Sequence, residues 1–406
     1  MGNRRWARIG DLKFGDEERA ALQRVIDSGR ISEGPEVRAF EDEFAEWVGT
    51  KYCVAVSSGT AALICGLKAL ILDNRFMYVQ EGDAVLVPAL TFIATANAVK
   101  LCGLEPVFGD IKPDTFCLEP RSMLWSHCNI VMPVHLMGFM ADMREFVDMA
   151  SWCVPEVVVV EDAAEGHGSV LNGKKAGSFG VWSAFSFYIA HTVQAGELGC
   201  VCTDDAKIAQ LVRRIKAHGR VCSCRRCTRT TTGCPFLVDG DPRFTHLFPG
   251  FNFKTMEFQA ALARTQLAKV EENIEARSAN VWWLNKILAQ AADDLILPKY
   301  DDDVAYMGYP VVLRNGRAKE RAKVLLELEA CGVECRPLFG CIPTQQPAYA
   351  GYKAAYEGRL PVAEHYGAAG FYVGCHQYLE DSDVDHIAKT ILDTVKGLKD
   401  EGVLGR

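Results

Sequence analysis

The feature that most constrains this chain is a repeated alternation of short apolar runs with stretches of helical periodicity. "YCVAVSS" precedes "GTAALICGLKAL", and "DAVLVPAL" precedes "ATANAVKLCG". "EPVFGDI", "NIVMPVHL" and "EVVVVEDAA" follow as further apolar runs. Runs of this length with apolar residues throughout are strands buried on both faces, and the intervening helices cover them. The pattern predicts an α/β fold with a mostly parallel sheet in a large domain. Before it, "DEERAALQRVIDSG" and "EVRAFEDEFAEWVG" carry apolar residues at helical spacing and end on glycine, a common helix stop. From about residue 272 the pattern changes. A long helix, "EENIEARSANVWWLNKILAQ", leads to "AYMGYPVVL", "AKERAKVLLELEACG" and "VECRPL", which predicts a smaller α+β domain. The expected division is a large domain over 1–271, containing the N-terminal helices and a cysteine-rich loop at 218–236, and a small domain over 272–406.

A chain of 406 residues, 49% hydrophobic, is long enough to bury a large core. Its formal charge of −8, with no basic block, argues against a nucleic-acid or anionic-membrane partner. The opening "MGNRRWARIGDLKFGDEERA" has no apolar leader, and "VPEVVVVED" is too short to span a bilayer. Most of the 16 cysteines are scattered, many of them in apolar runs, where cysteine packs as a small hydrophobe. These observations predict a cytoplasmic, reducing location.

Three segments place reactive groups at strand ends, where α/β folds build their sites. "SSGTAAL" (Ser57 to Leu63) joins a strand to a helix through small residues, leaving N–H groups free for a phosphate. "VVVVEDAAEGHG" puts Asp162 at the end of a buried run, where its carboxylate needs a partner. "AFSFYIAHTVQAGELGCVCTDD" puts His191 at the end of another, with no lysine between Lys175 and Lys207. A fourth segment, "RVCSCRRCTRTTTGCPF", gathers Cys222, Cys224, Cys227 and Cys234 as C-x-C-x2-C-x6-C. Four thiols so close in a reduced protein point to a metal, with an iron–sulfur cluster and structural zinc both compatible.

With these residues in place, the chain resembles the DegT/DnrJ/EryC1/StrS family of fold-type I pyridoxal phosphate enzymes over nearly its whole length. The resemblance is carried by "ISEGPEVRAFEDEFAEWVGTKYCVAVSSGTAAL", "GDAVLVPALTFIATANAV", "VMPVHLMGFMADM", "VVEDAAEGHGS", "PGFNFKTMEFQAALARTQL" and "QPAY". It implies that Gly59, Thr60 and Ser186 hold the cofactor phosphate, that Phe92 stacks on the pyridine ring, and that Asp162 pairs with the ring nitrogen. It further implies a polar contact from Glu165 near the cofactor phenol and a contact from Arg336 to a nucleotide diphosphate. Asn252 would reach the phosphate of the neighbouring subunit of a homodimer.

His191 stands where aminotransferases of the family carry the lysine that holds the cofactor covalently. The substitution marks a subclass similar to the NDP-4-keto-6-deoxyhexose 3-dehydratases, with pyridoxamine phosphate held non-covalently and His191 as the catalytic base. A subgroup of these carries a 2Fe–2S cluster and a flavin or iron–sulfur reductase as electron donor. The cysteine loop resembles that subgroup, although one of its ligand positions is occupied here by Ala164. The expected activity is therefore iron–sulfur-dependent C3 dehydration and deoxygenation of a nucleotide sugar, with Cys222, Cys224, Cys227 and Cys234 as metal ligands. The alternatives are a cluster-independent 3-dehydratase that uses glutamate as amine donor, and a non-catalytic homologue that binds the cofactor and metal.

Overall fold

The computed structural model describes residues 6–228, 233–236 and 241–404. The apolar runs form the expected central sheet. Ala84–Pro88 lies between Glu105–Gly109 and Ile130–Val131, and Val158–Val159 completes a parallel ladder. Glu161–Asp162 continues the line of Val158–Val159 beyond Val160 and pairs in parallel with Ser183–Ser186. Gly199–Thr203 follows, antiparallel to Ser183–Ser186 and to Tyr52–Val56 on its other side. The sheet is thus mostly parallel, with Gly199–Thr203 as its antiparallel member. The segment 158–162 joins the two halves, and Asp162 also bridges to Val134.

This topology sets the C-terminal ends of Tyr52–Val56, Glu161–Asp162 and Ser183–Ser186 on one side, beside the start of Gly199–Thr203. The antiparallel strand explains the short route from Ser186 to Gly199: no crossover helix is needed, so the His191 segment is a loop at that edge. A second, fully antiparallel sheet runs Leu295–Ile296, Tyr309–Leu313, Gly370–Val373, Cys335–Pro337. The helix Val270–Leu288 leads into it. Residues near the N-terminus also reach this part, since Ala7 bridges Val333 and exchanges backbone hydrogen bonds with Gly332 and Glu334. Among the described residues no helix is long and apolar enough to cross a membrane.

The helices Asp16–Ser28 and Pro35–Val48 end at Gly29 (φ 63°) and Gly49 (φ 91°), left-handed positions that a glycine occupies without a Cβ clash. The start of Pro35–Val48 is capped from far away in the chain. Buried Glu257 accepts the N–H groups of Gly34 (2.7 Å), Glu36 (2.9 Å) and Val37 (3.0 Å). A carboxylate at this end satisfies otherwise orphaned donors and complements the helix dipole. Glu257→Ala is expected to lower unfolding free energy by about 2–3 kcal/mol, because buried N–H groups lose a charged acceptor. Urea unfolding monitored by circular dichroism would show this as a lower midpoint at unchanged slope.

Candidate active site

A cleft of about 440 Å³ lies at the strand ends and is closed on one side by the second sheet. Gly59, Thr60, Phe92, Asp162, Glu165, Ser186, His191 and Arg336 all line it. Asn252 does not. It is exposed, and its backbone bridges Ala217.

The strand Tyr52–Val56 turns at Ser57 into the helix Gly59–Leu72, and the Ser58 hydroxyl caps this helix by accepting from the Ala61 N–H at 3.2 Å. Two close approaches shape the turn. A Cβ on Gly59 would stand 2.6 Å from the Ser186 Cβ, and one on Gly199 would stand 2.2 Å from the Ser58 carbonyl oxygen. Glycine is therefore required at both, and the free N–H end of the helix faces the cleft beside the Ser186 side chain.

Asp162 is buried at the cleft floor. One carboxylate oxygen accepts from the Thr95 hydroxyl at 2.8 Å and the other from the Ala164 N–H at 3.2 Å. Burial pushes its pKa up, and these hydrogen bonds oppose the shift. Among the described residues no cation forms an ion pair with it. Thr95 escaped the sequence analysis. Its only signal there is the spacing of Thr91 and Thr95, one helical turn apart, whose hydroxyls lie 3.3 Å from each other.

Glu165 accepts the Met137 N–H at 2.6 Å. Burial, with Asp162 adding like charge, pushes its carboxyl up to about 8, so at neutral pH the group is mainly protonated and can donate. Phe92 is 56% exposed at the mouth and meets Phe339 edge-on at 5.9 Å. Arg336 reaches the cleft from the second sheet and sits 3.2 Å from Glu334.

His191 is buried, and its Nδ1 lies 2.7 Å from the Ser186 carbonyl oxygen. A carbonyl only accepts, so Nδ1 carries the proton and Nε2 keeps its lone pair. Burial pushes the imidazole down to about 4; the Ser186 carbonyl opposes this and the Arg277 charge adds to it. The ring is therefore neutral at pH 7. No lysine lines the cleft.

The expectation of a metal on the cysteine loop is overturned. Among the described residues, the only three metal-capable side chains with ligand atoms within 4.8 Å of each other are Cys53, Cys200 and Cys202. Those three are buried on adjacent strands of the core, in register across Cys53 and Cys202. No three of Cys222, Cys224, Cys227 and Cys234 converge in this way. Cys224 is pushed up to about 11 by burial and by its neighbouring thiols. Arg225 pairs with Glu41 (3.2 Å) and Asp42 (2.7 Å) and donates to the Arg38 carbonyl (2.8 Å). The loop places these thiols near one another, with Cys224 against Cys222, but a ligand set needs at least three sulfurs that converge on one point, and no three of them do.

Comparison with known proteins places the chain. Residues 13–392 match the model of the DegT/DnrJ/EryC1/StrS aminotransferase family. The chain is an enzyme of this family, with its fold-type I α/β architecture. GDP-perosamine synthase of Caulobacter vibrioides is 32% identical, over 91% of this chain and 93% of that protein. GDP-4-keto-6-deoxy-D-mannose 3-dehydratase of Yersinia pseudotuberculosis is 28% identical, over 91% and 94%. The solved structure of the Escherichia coli GDP-4-keto-6-deoxy-D-mannose-3-dehydratase with bound hydrated PLP superposes with a TM-score of 0.84 at 25% identity, covering 95% of this chain and 99% of that one. The last finding, a 3-dehydratase of this fold holding PLP, together with the absence of three converging thiols in the described part of the loop, removes the ground for an iron–sulfur cluster, for zinc as its substitute, and for the flavin or iron–sulfur reductase that a cluster would have served.

Raising the Glu165 pKa has a consequence for stability. Between pH 4.5, its ordinary value, and about 8, the folded protein holds a proton that the unfolded chain releases, so this residue makes stability fall as pH rises. Glu165→Gln, a neutral mimic of the protonated acid, is expected to flatten that decline. Urea midpoints of the cofactor-free protein at pH 5, 6.5 and 8 would measure it.

Proposed function

We propose that this chain is a 3-dehydratase of a nucleoside diphosphate 4-keto-6-deoxyhexose, dependent on pyridoxamine phosphate and supplied with its amine by glutamate. The observation that carries the reading is a neutral histidine, with a free Nε2, lining a cleft that no lysine lines. The similarity to 3-dehydratases over most of the chain supports it. A sugar aminotransferase reading draws on the similarity to GDP-perosamine synthase. It needs a lysine at the cleft to hold the cofactor covalently, and the lining has none.

The residues present fit the cofactor. The two glycines leave a cradle at a helix N-terminus that a Cβ would fill, which suits a phosphate, and Asp162 is a buried carboxylate that forms no ion pair among the described residues. Gly59, Thr60 and Ser186 would hold the phosphate. Asp162 would pair with the ring nitrogen, whose positive charge would offset the cost of burying the carboxylate. Phe92 would cover the ring face, and protonated Glu165 would donate to the phenolic oxygen. Arg336 would meet the substrate diphosphate.

When bound, pyridoxamine phosphate supplies an amine for the C4 ketone and a ring that takes up electrons, the chemistry that lets the C3 hydroxyl leave. His191 accepts the proton at Nε2, and the Ser186 carbonyl steadies the positive charge that then spreads to Nδ1–H. Thr95 keeps the Asp162 carboxylate aimed into the cleft.

His191→Asn is expected to slow dehydration by about 10²–10⁴-fold, the usual contribution of a positioned acid–base group. The assay follows loss of the C3 hydroxyl by NMR, with glutamate present and no reductase added. Retained turnover in that variant would remove His191 as the base. Replacing Cys222, Cys224, Cys227 and Cys234 together by serine is expected to leave turnover unchanged in the same assay.

A further inference from the structure

The helix Val270–Leu288 carries Arg277, whose side chain is fully buried behind the cleft. Its guanidinium donates to the Met307 carbonyl at 2.8 Å, the Tyr306 carbonyl at 3.3 Å, the His191 carbonyl at 3.3 Å and the Gln377 side-chain oxygen at 3.1 Å. His191 and Met307 both line the cleft, one from the central-sheet loop and one from the second sheet's side. Every acceptor is neutral. Among the described residues no carboxylate forms an ion pair with Arg277, although a buried charge is ordinarily paired. A lysine so placed would shed its proton, whereas arginine stays charged.

We infer that Arg277 is a positioning residue for the base: one guanidinium clasps the backbone of His191 to that of Met307 and sets a permanent positive charge behind the imidazole. The clasp fixes the loop that aims Nε2, and the charge opposes a second proton on the ring, so the residue rests as a base. The inference builds on the dehydratase reading, in which His191 takes a proton.

The other groups around the pair are few. The His167 ring stands 5.9 Å from His191 and accepts the Val193 N–H at Nδ1, and the Tyr188 ring stands 6.2 Å away. Asp162, Glu165 and Glu197 line the same cleft. Around Arg277 are Cys375, Tyr378, His167 and His376; burial holds the last two histidines down, and the Arg277 charge adds to it.

The test is a pH titration of the cofactor-free protein carrying ring-labelled histidine, followed by NMR, with the His191 signal among nine histidines assigned by its loss in H191N. In the wild-type protein the midpoint is expected near 4. In R277Q, which removes the charge, it is expected to rise by about one pH unit. The acid limb of kcat/KM should move the same way. R277K is expected to give the same rise, because a buried lysine without a carboxylate loses its proton. Q377A, which removes one acceptor and keeps the charge, should lower kcat without moving the midpoint. A wild-type midpoint at or above 6.5, or a folded R277Q or R277K with an unmoved midpoint, would overturn the inference. Where both variants fail to fold, Q377A decides, because burial alone also lowers the wild-type midpoint and an unchanged kcat in Q377A would overturn the clasp. If instead H191N retains turnover, the dehydratase reading falls while the titration still reports on Arg277.

Discussion

Glu161 is the constraint on which the site rests. Its fully buried carboxylate accepts from Gly177, Phe179 and Gly180 N–H groups, each at 2.8 Å, and lies 3.0 Å from Nε2 of buried His135. His135 Nδ1 accepts the Ala141 N–H at 3.2 Å, so its Nε2 carries the proton given to Glu161. One side chain thereby ties the strand Glu161–Asp162 to two loops, one of which leads directly into Ser183–Ser186. Successive strand residues point to opposite faces. While Glu161 locks the interior, Asp162 is turned to the cleft. His135 serves this lock and lies outside the cleft lining.

The chemistry of the cleft comes from protonation states that burial sets apart. Glu165 is pushed toward its neutral acid and His191 toward its neutral base, both by the same loss of water. Asp162 is under the same pressure, and its two hydrogen bonds resist it. A donor, an acceptor and a carboxylate awaiting a cation are thus arranged at neutral pH within one cavity. On the function proposed above, histidine serves where a lysine would otherwise stand, because the task is to move a proton and not to hold the cofactor by a bond.

The cysteine loop shows how spacing can mislead. C-x-C-x2-C-x6-C is a ligand pattern on paper, yet among the described residues the three thiols whose sulfurs converge are Cys53, Cys200 and Cys202, from runs read as apolar packing. Their closeness follows from the strand pairing of 52–56 with 199–203, which sequence distance conceals. The burial of all three agrees with the packing role assigned to cysteines in apolar runs.

By itself the sequence determined the β–α alternation, the glycine stops of the first two helices, and the strand-end positions of Ser57–Gly59, Asp162 and His191. These follow from local rules: periodicity of apolar residues, left-handed caps, and turns that admit only small side chains. Tertiary structure decided Thr95 on Asp162, Glu257 capping a helix more than two hundred residues away, and Arg277 clasping the His191 loop. It also decided that the loop thiols do not converge and that Asn252 lies off the cleft of its own chain. Hydrogen-bond partners, ligand convergence and desolvation depend on which distant segments fold together. A residue's own neighbours in sequence carry no record of that.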